Sequence, residues 1–187
     1  MKQKVYFLLL LLFFVNTYNA YAKQPILTKP SANVDQMKAW AKAKGATLHF
    51  IGLADIFWTT CISLGVDPVV AYCQSGKETG YGKYNGAVSL KHKNTCGLKK
   101  ENRNDDNPED HAVFATWEDG IMAHVEHLAL YAGASGFPKK ESERKDTRHY
   151  GYLKGQAKTV EELGGKWAVS KTYGIEIVAL MKEVKKF

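Results

Sequence analysis

Glu78 lies near the end of the run Asp67-Pro68-Val69-Val70-Ala71-Tyr72-Cys73-Gln74-Ser75-Gly76-Lys77-Glu78-Thr79-Gly80-Tyr81-Gly82. Its place there suits acid chemistry better than structure. Asp67 is a good helix N-cap, Pro68 fits the first helical position, and Gly80 supplies a left-handed stop. Glu78 then falls in the last helical turn, where the helix dipole disfavours negative charge. A carboxyl held there at the mouth of a cleft has a raised pKa and can act as a general acid. The plain alternative is a solvated glutamate at a helix end. At about 100° per residue, Ala71, Gln74, Ser75 and Glu78 share one small, polar face suited to the floor of a cleft. Val69, Tyr72, Cys73 and Gly76 share the opposite, packed face, where Gly76 implies a close backbone approach.

Several elements must hold this helix. Residues 23–32 carry two prolines and read as an extended lead-in. Asn33-Val34-Asp35-Gln36 is a capping box opening a helix to about Lys44. Ile51, Ala54, Trp58 and Cys61, with Phe50, Leu53 and Phe57 beside them, predict an apolar core helix ending near Gly65. After Gly82, the Asn85-Gly86 turn signal predicts a short hairpin or irregular β segment to about Leu98. Residues 99–110 read as a solvated loop and 111–115 as one more short strand. Thr116 caps a helix to about Tyr131, with Trp117, Ile121, Val125 and Leu128 as its stripe. A long polar loop over 133–158 follows. Thr159-Val160-Glu161-Glu162 is a second capping box, and a last helix from near Ser170 carries Tyr173, Ile177, Met181 and Val184 inward. This is one mostly α domain of the α+β class, over 33–187.

Lys2 and Lys4 precede an apolar run from Val5 to Val15, and Ala20-Tyr21-Ala22 follows as a small-x-small cleavage pattern. Residues 1–22 therefore read as a signal peptide, too short for a comfortable membrane span. The expected product is a secreted chain starting at Lys23, touching membrane only through its leader. Losing both lysines lowers the formal charge from +7 to +5, a balance suited to anionic polymers such as bacterial wall material. No Arg-rich run or recognised motif points to nucleic acid. Three cysteines, Cys61, Cys73 and Cys96, allow at most one internal bridge. Cys73 with Cys96 is the expected pair, and three buried thiols the alternative.

Four blocks carry a resemblance: Gln74 to Gly82; Asn94-Thr95-Cys96-Gly97-Leu98-Lys99; Phe114-Ala115-Thr116-Trp117-Glu118-Asp119-Gly120; and Thr159 to Ala168 with Tyr173-Gly174. In this order they resemble the bacterial glucosaminidase-domain peptidoglycan hydrolases, endo-β-N-acetylglucosaminidase autolysins of the lysozyme-like superfamily, over roughly 36–184. The resemblance implies a helical lobe and a small β-hairpin lobe with a cleft between them. It implies cleavage of the β-1,4 bond after N-acetylglucosamine in peptidoglycan glycan strands, with Glu78 as general acid and no cofactor or metal. It places Asn94 and Gly97 on the substrate wall, and Tyr173 at the position of the family's tyrosine before the last helix. Gln74 and Trp167 complete the expected substrate contacts, and a monomer is expected.

One departure bears on mechanism. Two-carboxylate glycosidases place a second acid about 5–9.5 Å from the first, yet no Asp or Glu occurs between Thr79 and Lys100. The next candidates are Glu101, Asp105, Asp106 and Glu118, and Glu118 reads as a favourable first-turn charge. Glu78 acting alone, helped by the substrate's own N-acetyl group oriented by Tyr173, is the expectation. Three rivals remain open. A zinc amidase would draw on His92, His111, His124 and His127, although no His-Glu-x-x-His is present. A lytic transglycosylase also needs a single glutamate. A binding module would stack sugars on aromatic side chains. Of those, Trp58 and Trp117 lie in packing stripes, and Trp167, in a Gly-flanked stretch, is the cleft candidate.

Overall fold

The caps and stripes read from the sequence correspond to helices in the computed structural model, which describes residues 22–187. The expected leader therefore lies outside the described residues, save for Ala22. Asn33 and Gln36 exchange side-chain-to-backbone bonds of 2.9 Å each and open α1 (Val34–Ala43). The apolar run at 48–64 is broken at Leu53 into α2 (Leu48–Gly52) and α3 (Ala54–Leu64). Asp67 accepts the Val69 N–H at 3.0 Å and opens α4 (Pro68–Thr79), which Gly80 ends with φ 59°. Thr116 caps α5 (Trp117–Ala132) through the Asp119 N–H. The last helix, α6 (Tyr173–Val184), buries Tyr173, Ile177, Met181 and Val184 as its stripe predicts. Among the described residues no helix is long and apolar enough to cross a membrane.

α4 is the buried element, packed by α1, α3, α5 and α6. Its Val69, Tyr72 and Cys73 face is enclosed as expected, and a Cβ on Gly76 would stand 3.2 Å from Trp40 and Tyr81. The opposite face departs from expectation. Gln74 and Ser75 have no exposed surface, because α6 lies across them; only Glu78, one turn further on, escapes. The lead-in is not a loose arm either. Pro25 bridges to Thr159 and Leu27 to Val66, and Ile26 between them is fully buried.

The expected hairpin lobe does not form as a sheet: among the described residues only isolated bridges occur. Residues 84–98 are irregular, with a single 3-10 turn at Leu90–His92. The β pairing sits later, where Lys99 faces His111, Ala112 N donates to Leu98 O and Lys100 N to Asp110 O. Side chains do the work of a ladder here. Asn94, fully buried, donates to the carbonyls of Leu98 (2.7 Å) and Ala112 (3.1 Å) and accepts the Leu98 N–H at 3.0 Å. The expected Cys73–Cys96 bridge is also absent. Cys61, Cys73 and Cys96 are free buried thiols, with Cys73 in the main core and Cys96 in a separate small cluster with Leu98, Ala112, Phe114 and Ala123.

The polar stretch 133–158 is pinned by buried charge. Glu126 of α5 accepts the backbone N–H groups of Lys145 (2.7 Å) and Asp146 (3.0 Å) and the Lys139 ammonium (2.9 Å). Asp146, with its side chain wholly enclosed, accepts from His127 Nδ1 (2.8 Å), His149 Nδ1 (2.7 Å) and Arg148 N (2.9 Å). Burial alone would raise its pKa, but His127 and the hydrogen bonds outweigh that and hold it well below the usual range.

Two outcomes follow from these contacts. Asp146→Ala should lower unfolding free energy by about 3–5 kcal/mol, since it leaves buried partners unpaired; urea unfolding at neutral pH measures it. Because the folded pKa is depressed, the charge-dependent part of this contribution is present above the unfolded carboxylate value and is lost progressively as pH falls from there through the folded one. The gap between mutant and parent should therefore narrow in acid. Gly120→Ala should destabilise by about 1–3 kcal/mol although alanine favours helix, because its Cβ would lie 1.8 Å from the Lys93 carbonyl oxygen. Thermal unfolding gives the sign directly.

Candidate active site

Glu78 is presented by the turn that follows it. Gly80, Tyr81 and Gly82 all take positive φ (59°, 59° and 82°), reversing the chain within three residues. Thr79 ties this reversal by donating to Ser75 O at 2.7 Å and accepting the Gly82 N–H at 3.0 Å. Gly82 is required twice over, since a Cβ there would stand 2.5 Å from the Thr47 hydroxyl and 2.6 Å from Phe50. The odd residue, Tyr81, is held by its ring against Trp40, with centroids 5.6 Å apart.

The Tyr173 hydroxyl, from the first residue of α6, donates to Glu78 Oε1. Gln74, one turn before Glu78 on α4, donates its Nε2–H to that same phenol oxygen at 2.9 Å. Glu78 has a water-facing edge, while protein fills the other side of its carboxyl. Burial therefore raises its pKa, opposed by the Tyr173 hydrogen bond and by the positive charge of Lys77. Lys77 is itself paired with Glu176 at 2.6 Å. Burial, and then the neighbouring Glu78 charge and hydrogen bond, push the Tyr173 phenol upward, so it stays a donor. The arrangement is that of a carboxyl able to hold a proton above the usual range and to give it up across the open side.

That side opens into a cleft of about 660 Å³. Glu78, Gly97 and Trp167 line it together with Tyr150 and Tyr152. Trp167 is half-buried, set edge-on to His127 at 4.9 Å between centroids. Trp58 and Trp117 are packed against the core, as their stripes predict. Gln74 and Asn94 do not reach the cleft surface. Gln74 reaches only Tyr173 and His124, and Asn94 shapes the wall from within. Asp106 is the other carboxylate lining the cleft; it is strongly exposed, with Lys99 and His111 each 3.5 Å away.

Sequence reasoning missed the support behind Tyr173. His124 Nε2 lies 3.0 Å from Gln74 Oε1, and Thr95 Oγ1 lies 3.0 Å from His124 Nδ1, all without exposed surface. The signal was present in part: His124 stands one residue from the α5 stripe, which turns it toward the core. The histidines weighed for zinc serve separate ends. His124 is engaged at both ring nitrogens, His127 binds Asp146, and His92 and His111 hold the 89–111 loop. No group of three or more His, Cys, Asp or Glu among the described residues is placed to hold a metal ion.

The chain matches the model of the glucosaminidase family, described as mannosyl-glycoprotein endo-beta-N-acetylglucosaminidase, over residues 54–186. A curated relative, an uncharacterized protein of Borreliella burgdorferi, is 32% identical over 123 residues, covering 66% of this chain. The chain spans 57% of that relative's length. No solved structure matches. The family match takes in the glutamate, its reversing turn, the cleft wall and the tyrosine of α6, and this chain belongs to the glucosaminidase family.

Proposed function

We propose that this protein is a secreted, monomeric peptidoglycan hydrolase that cleaves the β-1,4 bond after N-acetylglucosamine in bacterial wall glycan, with Glu78 as general acid. The observation that carries this reading is a glutamate of raised pKa at the edge of an open cleft, bonded to a buried tyrosine, in a chain of the glucosaminidase family. Export through residues 1–22 and a net positive charge suit an anionic wall polymer.

In the first step Glu78 protonates the glycosidic oxygen as the C1–O bond breaks. The carbonyl oxygen of the substrate's 2-acetamido group closes on C1 and spreads the positive charge into an oxazolinium ring. Glu78, now ionised, takes a proton from the water that opens this ring, so the anomeric configuration is retained. Tyr173, buried behind the cleft surface, orients the carboxyl through its hydrogen bond. Asp106, strongly exposed, is not required in this scheme.

Purified peptidoglycan digested by the chain from Lys23 onward, then borohydride-reduced, should carry reduced N-acetylglucosamine ends. Glu78→Gln should lower the rate about 10²–10⁴-fold, while Asp106→Asn should keep most of it. Anhydromuramic ends would mean a transglycosylase, and loss of activity in a folded Asp106→Asn would mean a two-carboxylate mechanism. The pH profile checks the acid. Activity should fall with rising pH as Glu78 deprotonates, at a midpoint above that of an ordinary glutamate. Tyr173→Phe removes a hydrogen bond that lowers the Glu78 pKa, so this limb should move to higher pH while kcat drops.

A further inference from the structure

We propose that Arg148 is a specificity-determining residue: its guanidinium holds a carboxylate carried by the glycan, so that the cleft prefers anionic strands to neutral N-acetylglucosamine chains. The identity of the strand rests on the function proposed above; the preference for negative charge does not.

Arg148 lines the cleft together with Glu78. Its Nη1 donates to the Arg103 carbonyl at 3.0 Å and its Nη2 to Asn104 Oδ1 at 3.3 Å, while the Tyr150 ring centroid lies 5.6 Å from Cζ. All three partners are neutral, and among the described residues no Asp or Glu stands within ion-pair distance of this guanidinium. The carboxylates around it are engaged elsewhere. Asp106 faces Lys99 and His111, Asp110 faces Arg103, and Asp146 takes His127, His149 and the Arg148 backbone N–H. Lys99 and Lys166 line the same cleft, so its permanent cations outnumber the carboxyls of Glu78 and Asp106.

A purely structural role for Arg148 is to staple the 133–158 stretch to the 99–110 loop. That staple exists without it. Thr147 Oγ1 donates to Lys99 O at 2.7 Å, and the Tyr150 hydroxyl accepts the Asn102 N–H at 3.2 Å. Reaching two neutral oxygens also requires no charge. What those two bonds accomplish is to orient the guanidinium: they spend one N–H on each terminal nitrogen and leave three of its five donors. A planar fork of this kind meets a carboxylate through paired hydrogen bonds, and a side chain already ordered loses less freedom on binding. Arg148 is half-buried, so its charge is only partly screened by water.

The charge also acts inside the cleft. Burial and the nearby Tyr152 raise the pKa of the Tyr131 phenol, and Arg148 opposes them. Tyr131 lines the cleft and packs on Trp167 with centroids 5.6 Å apart. Beside the guanidinium, Tyr150 and Tyr152 stack with planes 6° apart, and Tyr152 is 70% exposed. Aromatic faces next to an oriented cation suit a sugar ring whose substituent carries negative charge. In wall glycan every second sugar bears a lactyl ether, whose carboxyl is either free or continued into a peptide with carboxylates of its own. Neutral N-acetylglucosamine chains carry none.

Binding of soluble tetrasaccharides to the Glu78→Gln chain reads charge apart from turnover. The probes are chitotetraose, the alternating N-acetylglucosamine–N-acetylmuramic acid tetrasaccharide with free lactyl carboxylates, the same sugar with stem peptides, and each charged probe with its carboxylates amidated. A charged probe should bind about tenfold more tightly than its amidated form at low ionic strength, and the ratio should shrink in about 0.5 M salt. A preference already present with the peptide-free sugar places the carboxylate on the lactyl group; one that needs the peptide places it there. Arg148→Gln should bring the ratio close to one, and Arg148→Lys, which keeps the charge without the fork, should retain part of it. Equal affinity for charged and amidated probes, or a preference that survives in Arg148→Gln, overturns the proposal. If Arg148→Gln does not fold, Arg148→Lys and the amidation comparison decide. Wall glycan cut after N-acetylglucosamine by a protein without this preference sinks the inference alone. The preference in a protein whose Glu78 form cuts no glycan sinks the proposed function alone.

Discussion

The hydrogen bond from Tyr173 to Glu78 joins the two halves of this fold, and nearly every other feature serves to make it possible. A carboxyl half-surrounded by protein needs one fixed donor, or it will either take up a proton or turn toward water. The donor comes from 95 residues further along the chain, so α6 must cross α4 at one register. Gly174 seats the start of α6 against the turn at Val160–Leu163: a Cβ there would lie 2.1 Å from the Val160 carbonyl oxygen. The same crossing encloses Gln74 and brings Lys77 to Glu176. Burial pushes the Glu78 pKa up while Tyr173 and Lys77 draw it down, and packing α6 over α4 sets that balance.

Opposite this rigid pair, the cleft wall is built almost without secondary structure. A loop wall must fix many backbone dihedrals without a ladder to do it, and that ordering is costly. Here buried side chains carry the burden. Asn94 makes three strong bonds inside one loop, while Glu126 and Asp146 gather backbone N–H groups from another. Isolated buried carboxylates would be ruinous, but each has a complete set of donors, which is the condition under which such groups survive. The result is an open cleft lined by tyrosines and Trp167.

The helices were legible because their signals are local. A capping box at Asn33, an Asx cap at Asp67 and a Gly stop at Gly80 each act within four residues, and the stripes of α5 and α6 depend only on period. Glu78 was legible for the same reason: a carboxylate in a last helical turn conflicts with the helix dipole, and such conflicts gather at functional sites. Gln74 shows where that reasoning fails. Periodicity can group Gln74 with Glu78, but it cannot tell which partner covers that face, so an apparent cleft floor proved to be the seat of α6. The Asn85-Gly86 signal failed similarly: it marks a reversal, while a hairpin also needs two strands able to pair, and Asn94 and Gly120 direct that segment onto α5 instead.

What the sequence by itself determined is therefore the set of helices, their ends, and the one carboxyl whose placement is electrostatically awkward. These follow from interactions spanning a few residues, which any copy of the segment would share. Only the tertiary structure decided that Gln74 and Asn94 work from behind the cleft, that the three cysteines stay apart, and that Thr95 and His124 stand at the end of the Glu78 chain. Those links join residues from 29 to 99 positions apart. No local preference encodes such a meeting; it exists because burying the apolar stripes of α4, α5 and α6 together leaves their few polar side chains no other partners.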